Sequence, residues 1–178
     1  LMRSPLQVTI MATLVDQIGQ PPHERWRLFK EYYEVIGRRE KERDIPAAEI
    51  IRDYRPDIDA LHNRVGLQLQ VESEQEENTE ARLSPERFQE IIKKRLNEEG
   101  HENRALENLL KKIIEAATER LVFLVGLESE KIGFEIRSLQ EFMAAECLVD
   151  KSDEIVRKRL RAIASASHWR NVFLFACG

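Results

Sequence analysis

The segment from Lys131 to Asp150 constrains the fold most strongly, because its hydrophobic pattern changes from a strand period to a helix period. Alternating apolar residues predict a strand with one buried face, formed by Ile132, Phe134 and Ile136. Apolar residues at helical spacing then predict an amphipathic helix, whose inner face carries Leu139, Phe142, Met143 and Cys147. Ser138 and Glu141 fit a capping box, so we expect the helix to begin at Ser138.

A second strand is predicted just before this segment. Val122 to Leu127 is short and apolar, and Glu128 to Lys131 would form the polar tip of a hairpin between the two strands. Three helices are predicted ahead of the hairpin: Pro46 to Leu69 with a kink at Pro56, a helix capped by Ser84, and Ala105 to Arg120. Three helices, two strands and a helix is the order of a winged-helix domain, with the hairpin as its wing.

Further helices are predicted on both sides of this domain. The first two have apolar faces formed by Leu6, Ile10, Leu14 and Ile18, and by Trp26, Phe29, Tyr33 and Ile36. Gly19 and the prolines after it end the first of them, and the acid-rich segment from Glu72 to Arg82 predicts a loop. The predicted fold is therefore mainly α: a helical bundle, a winged-helix domain with a two-stranded β-hairpin wing, and then more helices.

Charge and motif content exclude several classes of function. The net charge of −4 gives no bulk attraction to nucleic acid or to an anionic membrane. The sequence contains no G-x-x-x-x-G-K-[ST] loop to hold phosphates and no arrangement of paired carboxylates for acid–base catalysis. The histidines lack metal-ligand spacing, which predicts surface or packing roles for His23, His62, His101 and His168. We therefore expect that this chain alone is not an enzyme and holds no metal.

The apolar content suits a protein outside the membrane. No apolar run approaches the roughly 20 residues that a membrane-spanning helix needs, and no signal peptide opens the sequence. Cys147 and Cys177 each lie on an apolar helical face, which predicts buried thiols in a reducing compartment. We expect a cytoplasmic protein with no membrane partner.

Three stretches carry a resemblance to a known family. The run F-x-I-R-S-L-Q-E-F-M-A-A-x-x-L, from Phe134 to Leu148, resembles the F-x-H-x-S-F-Q-E-[FY]-L-A-A block of NACHT-type (STAND) signalling NTPases. Arg3 to Val8 resembles the N-P-L-x-L segment that opens the family's small helical domain, and His168 to Val172 resembles the W-R-x-V that begins its C-terminal helical repeats. All three occur in the family's order and span nearly the whole chain.

The resemblance implies a division into three parts. Residues 1–45 would be the C-terminal part of the helical domain, residues 46–150 the winged-helix domain, and residues 151–178 the start of the helical repeats. In that family these domains close over an upstream nucleotide-binding core of the same polypeptide, and exchange of ADP for ATP permits homo-oligomerisation. The resemblance thus implies a regulatory switch in signalling or defence, with ATP or ADP and magnesium bound by the core and none held by this segment.

Two residues are implicated in nucleotide contact by the same resemblance. Pro5 corresponds by position to a proline near the adenine, although a proline in the first turn of a helix after Ser4 explains it equally well. Ile136 replaces the family histidine that contacts the β-phosphate of ADP, and isoleucine cannot donate a hydrogen bond. Either Arg137 supplies that contact, or the inactive state is held differently.

An alternative class of function is a free-standing winged-helix protein, either a DNA-binding regulator or a protein-interaction adaptor. Its recognition helix would be Ala105 to Arg120, where Lys111 and Lys112 are offset by nearby glutamates. Nucleic acid is therefore the less favoured partner. The apolar residues from Phe173 to Cys177 lead us to expect an interior piece of a longer polypeptide.

Overall fold

The computed structural model describes residues 5–20, 22–43, 45–75, 82–126 and 131–178. Within these ranges the chain is mainly helical with one small antiparallel sheet, as the sequence predicts. The first two helices are α1 (Pro5–Ile18) and α2 (Arg25–Lys41). Ile10 and Leu14 are buried where α1 packs on α2, and Gly19 ends α1 with a φ of 77°.

The predicted third helix is two helices, α3 (Pro46–Asp53) and α4 (Arg55–Gln75). They meet at Tyr54, two residues before the proline for which a kink was predicted. In one continuous helix Pro56 would have no N–H to donate to the Arg52 carbonyl and its ring would clash there, whereas proline fits the first turn of a new helix. The loop predicted from Glu72 is wrong over its first residues, since α4 continues to Gln75. Ser73 in this last turn is buried and donates a hydrogen bond to the Gln70 carbonyl. Residues 76–81 of that predicted loop lie outside the described ranges.

The next two helices are α5 (Pro85–Glu98) and α6 (Asn103–Glu119). The predicted cap of α5 is confirmed, because the Ser84 hydroxyl accepts a hydrogen bond from the Arg87 backbone N–H at 3.3 Å. Gly100 follows α5 with a φ of 84°, which is the left-handed conformation that commonly ends a helix.

The sheet contains β1 (Arg120–Leu121), β2 (Leu124–Gly126) and β3 (Ile132–Phe134), paired in that order and antiparallel. The strand predicted from Val122 is wrong at its first two residues, because Val122 and Phe123 form a turn between β1 and β2, and β2 begins at Leu124. The β2–β3 pairing is the predicted hairpin, with Val125 opposite Gly133. Of its predicted polar tip, Glu128 to Lys131, residues 128–130 lie outside the described part of the chain, and Lys131 is exposed.

The remaining helices are α7 (Arg137–Val149), α8 (Asp153–Ile163) and α9 (Arg170–Ala176), with a 3-10 turn (Ser167–Trp169) before α9. The predicted cap of α7 is wrong. The N-cap residue is Ile136, and no side chain caps the helix, because Glu141 turns into the protein instead of back toward Ser138. In α8 no residue is buried.

One hydrophobic core contains residues from the beginning, the middle and the end of the described chain. Phe29 of α2, Phe142 of α7 and Phe175 of α9 form an aromatic cluster with ring centroids 5.0 to 5.8 Å apart. The helix α4 runs along α7, and α7 along α9. At the α4–α7 crossing, a Cβ on Gly66 would lie 2.7 Å from the Met143 Cβ and 2.8 Å from the Ala144 nitrogen, so the absence of a side chain sets the helix separation.

Candidate functional site

A network of polar side chains lies between α4, α7 and the start of α9. We call it the α7 network, and its members are Gln70, Ser73, Arg137, Gln140, Glu141, His168 and Asn171. Five of them belong to stretches that carry the family resemblance described above, namely Arg137, Gln140 and Glu141 from one stretch and His168 and Asn171 from another. The fold therefore brings two separate motif stretches to one place.

Two glutamines form the buried centre of the α7 network. The Gln140 side chain donates to the Gln70 side-chain oxygen at 3.1 Å, and the Gln70 side-chain nitrogen donates to the His168 carbonyl at 3.0 Å. Both glutamines are at least 98% buried. Gln140 is therefore an interior residue of α7, held against α4.

A buried carboxylate organises the other half of the α7 network. Glu141 is 97% buried and accepts hydrogen bonds from Arg137 Nε and Asn171 Nδ2, both at 3.2 Å. The interpretation of Glu141 as a cap residue is wrong for this reason. Arg25 of α2 extends the network, since its guanidinium lies 3.4 Å from the Asn171 oxygen and 4.3 Å from the centre of the Phe175 ring. Burial lowers the pKa of Arg25, and the charge of Glu141 opposes that shift.

His168 links the two halves of the network. Its Nε2 atom lies 3.1 Å from both the Gln70 carbonyl and the Ser73 hydroxyl, while its Nδ1 atom lies 3.4 Å from an Arg137 Nη atom. Arginine can only donate, so we assign Nδ1 as the acceptor and Nε2 as the protonated nitrogen of a neutral ring. His168 is thus a packing histidine, as predicted.

The residues that the sequence predicts near a nucleotide lie in different parts of the structure. Arg137 is the first residue of α7, and its guanidinium is committed to Glu141 and His168 with 30% of the side chain exposed. Ile136, at the family-histidine position, is 37% exposed at the N-terminus of α7. Pro5 is the first residue of α1, and its side chain lies outside the described part of the structure. Contact of Pro5 or Arg137 with a nucleotide therefore stays a prediction.

Gln70 and Ser73 were not predicted as site residues, although the sequence of α4 contains a signal for them. His62, Gly66, Gln70 and Ser73 recur at helical spacing, beside the apolar stripe that predicted the helix. All four are buried, and the stripe faces α7 at Gly66 and Gln70. A stripe of small and polar residues beside an apolar stripe thus indicates a helix that is buried along both stripes.

A groove of about 510 Å³ lies elsewhere on the surface, between α4 and α5. Its apolar floor is formed by Leu67, Val71 and Ile91, and Cys147 lines it from α7. The charges at its rim are largely paired with one another, as in the Arg64–Glu98 and Arg87–Glu90 ion pairs. Burial raises the pKa of the Cys147 thiol, which makes it an unreactive nucleophile at neutral pH. The prediction of a buried thiol is wrong for Cys177, which is exposed at the end of α9.

Metal ligation and membrane insertion find no support in the described residues. Over these ranges no three or more histidine, cysteine or acidic side chains cluster to hold a metal ion. Among the helices that the structure describes, none combines the length and apolar character needed to cross a bilayer. Comparison with protein-family models, with characterised proteins and with solved structures finds no match to this chain.

Proposed function

We propose that this chain is the switch region of a NACHT-type signalling NTPase, which closes over a nucleotide-binding core and couples nucleotide exchange to oligomerisation. The observation that carries the proposal is the α7 network, where residues from two of the three resemblance stretches meet in space. Arg137, Gln140 and Glu141 contact His168 and Asn171 directly or through Gln70. The hydrogen bonds among these polar residues give a physical reason for both stretches to occur in one chain.

Such a network suits a segment that transmits motion. A fully bonded buried polar cluster has few alternative arrangements, because any shift leaves a desolvated group without a partner. Glu141 would lose the Asn171 donor if α9 moved relative to α7, and Arg137 on α7 would be the one donor left of the two described. A displacement of the N-terminus of α7 would therefore carry the start of the following helical segment with it, which is what a switch between a nucleotide site and C-terminal repeats requires.

The N-terminus of α7 is a suitable place for a phosphate contact. No side chain caps it, its first residue is the partly exposed Arg137, and the helix dipole favours an anion there. Isoleucine at position 136 contributes no donor, so Arg137 and backbone N–H groups are the candidates to replace the family histidine. ATP or ADP with magnesium would be held by the core, and this chain would add only these contacts.

A DNA-binding regulator is the weaker candidate. Lys112 pairs with Glu49 and Lys111 with Glu115, and Lys93 of the neighbouring α5 pairs with Glu107 on α6. Phosphate binding requires cations that form a continuous basic footprint, and here acids interrupt it. We therefore place nucleic acid second to an upstream core as the partner.

The test uses the intact polypeptide that contains this segment. We expect it to purify with bound ADP as a monomer and to form a homo-oligomer with ATP and magnesium, measured by nucleotide extraction and light scattering. Arg137→Ala should weaken ADP affinity, whereas Arg170→Ala, which removes an exposed arginine, should not. Unchanged affinity in Arg137→Ala would remove only the role of Arg137, but an intact protein that binds neither nucleotide would overturn the switch function.

A further inference from the structure

The turn between β1 and β2 is both buried and strained. Val122 is 0% exposed and has a φ of 56°, in the left-handed region that β-branched residues avoid. It is the first central residue of a two-residue turn, a position that favours glycine when φ is positive there. Hairpin turns normally lie at the surface, because their backbone polar groups need water. Specific partners must therefore hold this one inside the protein.

One of these partners is a buried carboxylate at the end of α2. Glu40 is 97% buried, and its Oε2 atom accepts a hydrogen bond from the Val122 backbone N–H at 2.6 Å. A bond of that length to a carboxylate is typical of the stronger, charge-assisted class. The strained residue is thus held directly by a residue of α2, far away in the sequence.

The second partner is His62 of α4, whose Nδ1 atom lies 2.7 Å from the Ile58 carbonyl. Its Nε2 atom lies 3.3 Å from the Phe123 nitrogen and 2.7 Å from the Leu121 carbonyl. One ring nitrogen cannot accept from an N–H and donate to a carbonyl at the same time. If Nδ1 carries the proton, the Leu121 carbonyl faces a ring nitrogen that cannot donate to it. If Nε2 carries the proton, the Phe123 N–H and the Ile58 carbonyl face ring nitrogens that do not match them.

Aromatic packing attaches the same turn to α2. The Phe123 ring lies 5.4 Å from the Tyr32 ring and 5.1 Å from the Tyr33 ring, measured between centroids. Tyr33 is fixed in turn by a 2.8 Å hydrogen bond from its hydroxyl to Asp59 of α4. The position of α2 therefore determines whether both the carboxylate and the aromatic surface are available to the turn.

We propose that the β1–β2 hairpin is a two-state element and that Glu40 is the latch that couples it to α2. In the closed state the Glu40 carboxylate holds Val122 in its strained conformation. When α2 shifts, the carboxylate leaves, and the hairpin opens as a unit while Val122 relaxes to a negative φ. This inference rests on the contacts of the turn alone and holds whether or not the chain belongs to a nucleotide switch.

The test is amide hydrogen exchange of the 178-residue chain, followed by NMR. In the wild type, the amides of residues 121–126 should exchange together and at least tenfold faster than the slowest amides of α4. Glu40→Gln keeps the size of the side chain but removes its charge, and it should speed exchange of the hairpin by a further tenfold or more. The amides of α4 and α7 should keep their wild-type rates. The matched control is Glu42→Gln, which removes an exposed acid at the end of the same helix and should change neither region.

Two outcomes would overturn the proposal that Glu40 is the latch. One is hairpin exchange in the wild type that occurs only with global unfolding, at the rate of the slowest α4 amides. The other is a Glu40→Gln variant whose hairpin exchanges as slowly as that of Glu42→Gln. If Glu40→Gln destabilises the whole chain, the comparison within that variant still decides the question, because the latch predicts that exchange of the hairpin amides increases more than exchange of the slowest α4 amides.

Discussion

Replacement of Gly66 by alanine tests whether α4 and α7 are packed as closely as the structure indicates. The new Cβ would lie 2.7 Å from the Met143 Cβ, 2.8 Å from the Ala144 nitrogen and 2.9 Å from the Gln140 carbonyl oxygen. Two of these atoms are backbone and cannot rotate away, so the helices must separate. Overpacking of this kind costs about 1–3 kcal/mol, and contacts with backbone belong near the upper end. Alanine regains about 1 kcal/mol of helix propensity.

The unfolding free energy should therefore fall by about 2 kcal/mol. With a urea m-value of about 2 kcal/mol/M, this loss lowers the urea midpoint of unfolding by about 1 M. Gly37→Ala is the matched control, because its Cβ would meet only the end of the flexible Arg55 side chain. We expect the Gly37 variant to stay closer to the wild type. A Gly66→Ala midpoint at or above that of Gly37→Ala would refute the close α4–α7 packing.

Three further predictions concern single sites. Burial lowers the pKa of His62 to about 4 from 6.5, so between these values the unfolded chain binds a proton that the folded chain does not. Unfolding free energy should thus fall as pH drops from 6.5 to 4, by about 3 kcal/mol in total, and urea titrations should show a shallower fall in His62→Gln. Val122→Gly should be more stable than Val122→Ala by about 1 kcal/mol, because only glycine tolerates the positive φ; the opposite order would mean that the turn is unstrained. Thiol alkylation followed by mass spectrometry should label Cys177 well before Cys147, and equal rates would contradict the burial of Cys147.

Local signals in the sequence predicted the helices of this fold well. The apolar spacing of Ile10 and Leu14 identified the buried face of α1, and Ser84 with Pro85 identified the start of α5. Both depend on residues within a few positions of one another, so no knowledge of the tertiary structure was needed. The helix break beside Pro56 was predictable for the same reason.

The errors arose where a distant residue decides the local structure. Neither Val122 nor Phe123 is a residue type that favours turns. Distant residues hold the turn instead, since Glu40 accepts a hydrogen bond from the Val122 N–H and the His62 ring lies against the Phe123 N–H. Glu141 sits at capping-box spacing from Ser138, yet it turns inward because Arg137 and Asn171 bind it there. Pairings that span 30 residues or more, such as Gln70 with Gln140, leave no local trace in one sequence.

The most direct test of the switch proposal is to sequence the natural reading frame on the 5′ side of the codon for Leu1. The proposal predicts a buried strand, a G-x-x-x-x-G-K-[ST] loop and an acidic strand within about 150–250 residues, which is one domain's length. That result would make Arg137 and Pro5 the first residues to substitute in the intact protein. A start codon at or just before Leu1, with no such domain encoded, would contradict the proposal and leave the resemblance as one of fold alone.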